Sequence, residues 1–342
     1  ILPIPTRYPS AGSSYGSLAM FVNWVWDFND KLTLNAGARI TSTRLDARWK
    51  EFYNINALLS SVDLRSEALT ETLALTYRPS AKKQWNMILS NGFRNPNIDD
   101  VGKIRENKGT LVVPNPSLFP EYAYNFELGF TNYLNLPKNF ISVRGFTTLI
   151  SRHIGRDNYI IFADKTTPNM NTILYQGEEV ETFANVNSGD RYLVGGSIDG
   201  YYSFVDTFSI QGNISFIKAG KNKKYGPLPS ISPIFGNLLL KYNKENWLTS
   251  LRFQFSGSKN PNTYSIGGED GLEETPLISE LSGLYAGTPA WNDLSLLTQY
   301  EWKENIRFIV GIDNIFDIHY RTFASGISAP GRNLKIGANI AF

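Results

Sequence analysis

The sequence predicts an all-β chain folded as a transmembrane antiparallel β-barrel, and three observations predict it. Apolar and polar residues alternate with period two along the whole 342-residue chain, and no window carries a convincing helical period. Many alternating segments reach ten or more residues. Strands in globular sheets usually have ~5 to 6 residues, whereas a tilted strand needs ~9 to 11 to cross a bilayer. The connections between segments alternate strictly between short and long.

In chain order the expected strands are about 15 to 26, 32 to 46, 66 to 79, 84 to 93, 123 to 133, 139 to 151, 190 to 204, 207 to 219, 232 to 242, 247 to 256, 290 to 300, 306 to 316 and 333 to 342, about thirteen in all. Each has an apolar side. In the second, Leu32, Leu34, Ala36, Ala38 and Ile40 oppose Thr33, Asn35, Gly37, Arg39 and Thr41. In FSIQGNISF, Phe208, Ile210, Ile214 and Phe216 oppose Ser209, Gln211, Asn213 and Ser215. The last strand sets Leu334, Ile336, Ala338, Ile340 and Phe342 against Lys335, Gly337 and Asn339. A soluble sandwich with water outside alternates in the same way, so the faces alone leave lipid and water both open.

The connections add the missing weight. DFNDK, RPSAKK, LNLPKN, VD, NKEN and WKEN are short and rich in Asn, Asp, Pro and Lys, as tight turns require. Long segments fall between them at about 47 to 65, 94 to 122, 152 to 189, 220 to 231, 257 to 289 and 317 to 332. Loops of that length are uncommon unless they carry function. Their collection at one end is the arrangement of an outer-membrane barrel, with short periplasmic turns and long extracellular loops. Trp24, Trp26, Tyr133, Trp247, Tyr300 and Trp302 lie beside the short turns, where an aromatic girdle belongs.

Composition excludes several classes. At 42% hydrophobic and 19% charged, the chain is not disordered and carries less charge than the ~25% usual for soluble proteins. No run of about 18 apolar residues marks a transmembrane helix. A net charge of +2 offers no basic face for nucleic acid. With no Cys there is no thiolate metal site, disulfide or Cys nucleophile. Only two histidines exist, His153 and His319, so a His-rich metal site and most His-dependent triads are out of reach. No catalytic residue, metal site or cofactor is expected. Asp99 and Asp100 could be read as paired catalytic carboxylates. The preferred reading makes them loop residues paired with Lys103, Arg105 or Lys108. The opening ILPIPTRYPS has neither a basic n-region nor an apolar h-region and reads as the middle of a loop.

Residues 90 to 130, SNGFRNPNIDDVGKIRENKGTLVVPNPSLFPEYAYNFELGF, resemble the central barrel of TonB-dependent outer-membrane receptors. The matching positions are Gly92, Phe93, Arg94 and Pro96; then Asn115, Pro116, Leu118, Pro120 and Glu121; then Asn125, Glu127, Leu128 and Gly129. The C-terminal stretch is similar through Asn314, Phe316, Asp317, Tyr320, Arg321 and the APGR at 329 to 332, and its FASGISAPGRN looks most like receptors of the Bacteroidetes group. The resemblance covers essentially the whole chain. It implies a 22-stranded barrel plugged by an N-terminal globular domain and energised by the inner-membrane TonB complex. Counted back from Phe342, residues 1 to 342 then supply the last thirteen strands, with the plug and early strands as missing partner segments. Outer-membrane lipid covers the apolar face.

The same resemblance brings loop 94 to 122 into the barrel mouth, where the family receives its ligand. Arg94, Asp99, Asp100, Arg105 and Lys108 are therefore candidate ligand contacts, the cations suiting an anionic ligand such as a ferric catecholate. A solvated, self-paired loop is the alternative. His153 lies between Arg152 and Arg156 at the base of the next loop, either touching ligand or solvated, and Tyr264 with Tyr285 and Trp291 offers aromatic surface in loop 257 to 289. Haem receptors of this family often carry a His between the two motifs, and residues 94 to 115 have none, which counts against haem. Arg39, Arg144, Arg252 and Arg307 point inward and would meet carboxylates on a plug, or lumen water. The leading expectation is a TonB-energised receptor for a scarce ligand, a ferric siderophore or other iron complex. The alternative is a structural or surface-binding barrel partnered with a surface lipoprotein for glycan or peptide capture, and a passive porin is a third reading.

Overall fold

The computed structural model describes residues 8–49, 61–107, 109–135, 139–160, 172–175, 177–220, 222, 224–265, 270–279 and 281–341. Phe342 and Lys108 lie outside the described residues. The strands are β1 (Ser13–Asn29), β2 (Leu32–Arg48), β3 (Ser61–Ser80), β4 (Lys83–Arg94), β5 (Arg105–Asn107), β6 (Thr110–Val112), β7 (Glu121–Asn135), β8 (Asn139–Ser151), β9 (Ile154–Asn158), β10 (Thr172–Tyr175), β11 (Glu178–Asn187), β12 (Arg191–Val205), β13 (Phe208–Ala219), β14 (Phe235–Lys244), β15 (Trp247–Ser256), β16 (Leu277–Ser279), β17 (Leu284–Tyr285), β18 (Trp291–Lys303), β19 (Ile306–Asp313) and β20 (Asn333–Ile340). One helix, α1 (Ile98–Gly102), follows β4.

Thirteen of these strands form a single antiparallel sheet, ordered β1-β2-β3-β4-β7-β8-β12-β13-β14-β15-β18-β19-β20. Each strand expected from alternation is present. β1, β2 and β3 run longer than expected, to 17, 17 and 20 residues, because their upper ends climb beyond the apolar band into the loops. β20 pairs with β19, and among the described residues neither β1 nor β20 has a strand on its other side.

The register separates two faces. Leu34, Ala36 and Ile40 of β2 lie opposite Trp26, Trp24 and Met20 of β1, and opposite Leu75, Leu73 and Leu69 of β3. At the other end of the sheet Leu240, Leu251, Leu296, Ile312 and Leu334 form one continuous cross-strand row. Side chains of this outer face stay open to solvent even on strands paired on both sides, with Ile40 at 62% and Val143 at 45%, which a lipid solvent makes favourable. On the opposite face Thr41, Thr43, Leu45 and Ala47 become buried toward the upper end of β2. That face is the inner one, since the loops fold over it.

Turn chemistry closes the lower rim. The Asn29 side chain accepts from the backbone N–H of Lys31 (2.9 Å) and Leu32 (3.1 Å), and Glu245 takes φ 51° in the turn between β14 and β15. Aromatic pairs mark the adjacent interface: Trp24 on Trp26 at 5.2 Å, Trp85 with Phe130 at 4.5 Å and Trp247 with Tyr300 at 4.6 Å. Tyr133 departs from the expected girdle. It stands opposite Phe140 on the inner face, because Thr131 and Ser142, two residues away in the ladder, bond to each other inside.

The main cluster of buried apolar side chains lies at the loop end. Leu45, Ala47, Trp49 and Val62 from the tops of β2 and β3 meet Val101, Ile104, Leu111, Val113 and Leu118 from the loop after β4, and Ile154, Val180 and Ala184 from the loop after β8. Those two loops, for which no strand is expected from the sequence, share a second sheet: β10-β11-β6-β5, with β9 also on β11. β6 and β11 run parallel. We refer to this sheet, its core and α1 as the cap.

Candidate functional site

The family-like motif after β4 builds the foot of the cap. Asn97 caps α1, its side chain accepting from the Asp100 N–H (2.9 Å) while Asp100 Oδ2 accepts from the Asn97 N–H (3.0 Å), a reciprocal box that satisfies two otherwise orphaned donors. The Asp100 carboxylate also receives Arg94 Nη2 at 2.6 and 2.8 Å and Asn185 Nδ2 at 3.2 Å. Asn95 ties this segment to the wall through Thr43 (2.5 Å) and Ser66 (2.7 Å).

The second motif staples the two loops together. Buried Asn115 donates to the Asn185 carbonyl (2.8 Å) and accepts from the Ser117 N–H (2.9 Å) and the Tyr159 hydroxyl (3.3 Å). Glu121 Oε2 accepts from the Ile154 N–H at 2.7 Å. Burial pushes the Tyr159 phenol above its ordinary pKa. The C-terminal motif acts likewise: Asn314, left-handed at φ 48°, donates to the Ile318 (2.9 Å) and Pro330 (3.1 Å) carbonyls, and Asp317 Oδ1 accepts from the Arg332 N–H (2.7 Å). These residues hold loops in place.

The structure gathers part of the expected ligand set. Arg94, Asp100 and His153 line one cavity of about 230 Å³, together with Arg156, Ser188, Arg191 and Tyr225. His153 Nδ1 bonds the Ser188 hydroxyl at 3.0 Å. Asp100 pairs with Arg94 at 2.6 Å, the capping box turning its carboxylate back toward the end of β4, and the expected pairing with Lys108 lies outside the described residues. Asp99 sits in the first turn of α1. Arg105 stands exposed on β5, apart from the cavity. Arg152, at φ 57°, lies over the Phe119 ring at 5.6 Å, its N–H donating to Asp190 Oδ1 at 3.2 Å.

Tyr264 belongs to a different interior. At 4% exposure it packs edge-on to Phe323 (5.9 Å) and exchanges hydrogen bonds with Thr288 at 2.6 and 2.9 Å, so it presents no aromatic surface. Lys259 lies over both rings and donates to the Ile231 carbonyl at 2.5 Å. Burial pushes its ammonium pKa down, with Asp270 at 3.9 Å opposing. The aromatic surface of this region is the stack of Trp291 on Tyr320 at 4.2 Å, which lines a second cavity of about 300 Å³ beside Glu274 and Arg321.

Sequence reasoning misses Arg191. It begins β12 with 3% exposure, and counting back by twos from Asp199 through Ser197, Gly195 and Leu193 places a cation at the top of an inner face. The four expected lumen arginines all lie on the inner face by register, and two have carboxylate partners in the wall itself. Arg144 pairs across strands with Asp199 (3.0 Å), and Arg307 Nε donates to Glu301 (3.1 Å). Arg39 Nε donates to Thr41 Oγ1 (3.1 Å), while Arg252 stands opposite Ser295.

A family model for the TonB dependent receptor-like β-barrel matches residues 2–315. The chain belongs to the TonB-dependent receptor family. Its fold is similar to that of the copper transporter OprC, with TM-score 0.73 and 14% identity over 96% of this chain and 48% of that one. It is also similar to the siderophore receptor PiuA from Acinetobacter baumannii (TM-score 0.67, 13% identity, 96% and 43%). The ferric-catecholate import receptor Fiu from E. coli K12 is another likeness (0.66, 14%, 96% and 45%). The chain spans about half the length of these structures. No curated protein sequence matches it. TonB-dependent receptor barrels reside in the outer membrane of Gram-negative bacteria and are transporters rather than enzymes, so the lipid assigned to the apolar face is outer-membrane lipid.

Proposed function

We propose that this chain is the C-terminal part of the barrel of an outer-membrane uptake receptor, and that its ligand is a ferric siderophore or other anionic iron complex. A plug domain and early strands complete the barrel, and the TonB complex supplies energy through the plug. The observation that carries the ligand class is a set of loop-end guanidinium groups without a carboxylate partner. Among the described residues Arg105, Arg152, Arg156 and Arg191 have no carboxylate within ion-pair distance. Guanidinium groups suit the carboxylate and catecholate oxygens of such complexes. The siderophore and ferric-catecholate receptors of similar fold support the same class. Growth on limiting iron, with and without the gene, tests the reading: the deletion strain should take up ferric siderophore more slowly, and unchanged uptake overturns it.

The stacked Trp291 and Tyr320 favour a second reading, since paired aromatic faces suit sugar rings. On it the barrel works with a surface lipoprotein that captures glycans or peptides. Growth on a glycan as sole carbon source, impaired by the deletion while iron uptake is untouched, would select it.

A further inference from the structure

We propose that the 230 Å³ cavity at the foot of the cap is a binding subsite for a single oxyanion group, a carboxylate or a phosphate, and that Arg191 is its anchor. Arg191 is 3% exposed, and among the described residues its Nε finds no acceptor. Its remaining contacts are long: Nη2 to Ser188 Oγ at 3.3 Å and Nη1 to the Asp190 carbonyl at 3.5 Å. Tyr225 lies under the guanidinium at 5.2 Å and also meets Lys224 at 4.6 Å, so the ring stabilises positive charge without neutralising it. A buried cation with no counter-charge and an orphaned donor is costly, and such groups are paired in folded proteins. Here the partner must enter from outside the described chain.

The charge balance around the cavity agrees. Three guanidinium groups, Arg94, Arg156 and Arg191, face one carboxylate, Asp100, so the lining carries +3 − 1 = +2 with His153 neutral. Asp100 cannot serve Arg191 as well, because both its oxygens are already engaged by Arg94, the Asn97 N–H and Asn185. The Ser188 hydroxyl, bonded to His153 Nδ1 at 3.0 Å and donating to the His153 carbonyl at 3.0 Å, stays beside Arg191 as a fixed neighbour. At about 230 Å³ the cavity is smaller than the roughly 300–1,000 Å³ of sites that enclose a whole small-molecule ligand, so it suits one oxyanion head rather than a whole ferric complex. The wall residues Arg94 and Arg191 lie on the inner face by register, so the anion arrives from the barrel mouth and not from a lipid headgroup.

The inference deepens the uptake reading and rests on it for what the anion belongs to. It is tested on the full-length receptor in detergent by calorimetric titration with inorganic phosphate and, separately, with citrate. Saturable binding is expected for at least one probe. R191Q should weaken it by at least about tenfold, the loss of one charge-assisted contact, and R191K should restore part of it. Because Arg156 is exposed, its replacement should leave the fold intact, and R156Q provides a second variant, expected to weaken binding less than R191Q. Absence of saturable binding at millimolar anion, or equal affinity in wild type, R191Q and R156Q, overturns the subsite. Binding that is lost in R191Q while the gene has no effect on iron uptake keeps the subsite and overturns the uptake reading. Gene-dependent iron uptake with anion binding that R191Q leaves unchanged keeps the uptake reading and overturns the subsite.

Discussion

The wall and the cap obey the same backbone rule and opposite side-chain rules. Both pair their strands, but in the wall Ile40 and Val143 stand 62% and 45% exposed on strands paired on both sides, whereas in the cap Val101, Leu111 and Ala184 are wholly buried. Lipid performs outside the wall what packed side chains perform inside the cap. The wall therefore owes its stability to a continuous ladder and an apolar exterior, and the cap to a small core assembled from four separate stretches of chain. The two regions should fail independently.

The largest expected effect is in the cap core. L111A should destabilise the cap by about 2–5 kcal/mol, the range for emptying a packed leucine site. Limited proteolysis should then cut within 94 to 122 and 152 to 189 while the heat-modifiable migration of the barrel is unchanged. Loss of both would show that wall and cap form one cooperative unit. Next comes the wall: L251R, mid-strand on the lipid face, should cost about 2–4 kcal/mol in refolding into vesicles, and Q211R on the inner face should cost little. Equal costs would break the assignment of faces.

That face assignment is legible in the sequence because period two is a local signal, repeated over thirteen strands. The cap is not legible there, for physical reasons. β5 and β6 have three residues each, too short to display a period, and β6 pairs in parallel with β11 across about seventy residues of sequence. Its motif residues stand out as a resemblance, yet nothing local indicates that Asn115 staples one loop to the other. Arg94 and His153 are candidates on charge and position, and they do share a cavity. Arg191 escapes notice because a single arginine at the start of a strand reads as solvated until its burial is known.

A smaller effect is expected at the helix cap. N97A removes the side-chain acceptor of the box and should cost about 0.5–2 kcal/mol locally, seen as faster hydrogen exchange at Asp100 and Val101, whose N–H groups both bond Asn97. Alkaline pH probes the same region without mutation. Burial raises the Tyr159 pKa above the ordinary value of about 10, so the folded cap holds the phenol proton more tightly than the unfolded chain does. That contribution is fully present below pH about 10 and is lost as pH rises through the folded-state value. Protease sensitivity of the cap should thus increase above pH about 10, and the increase should shrink in Y159F. A Y159F cap with an unchanged alkaline limb would assign the transition to another group.

The smallest effect concerns the inner face of the wall. Arg144 and Asp199 form a cross-strand pair at 3.0 Å, but their side chains are 51% and 30% exposed, so water screens the attraction. R144Q should cost only about 0.2–1 kcal/mol in this chain, the range for exposed pairs, with a weak salt dependence. The comparison sharpens in the full-length receptor. If a plug domain presents a carboxylate to Arg144, the partner excludes water and the same substitution should cost more there than in the barrel portion alone. Equal costs in the two backgrounds would mean that Asp199 is the whole of its partnership, and that the inner arginines serve the wall rather than a plug.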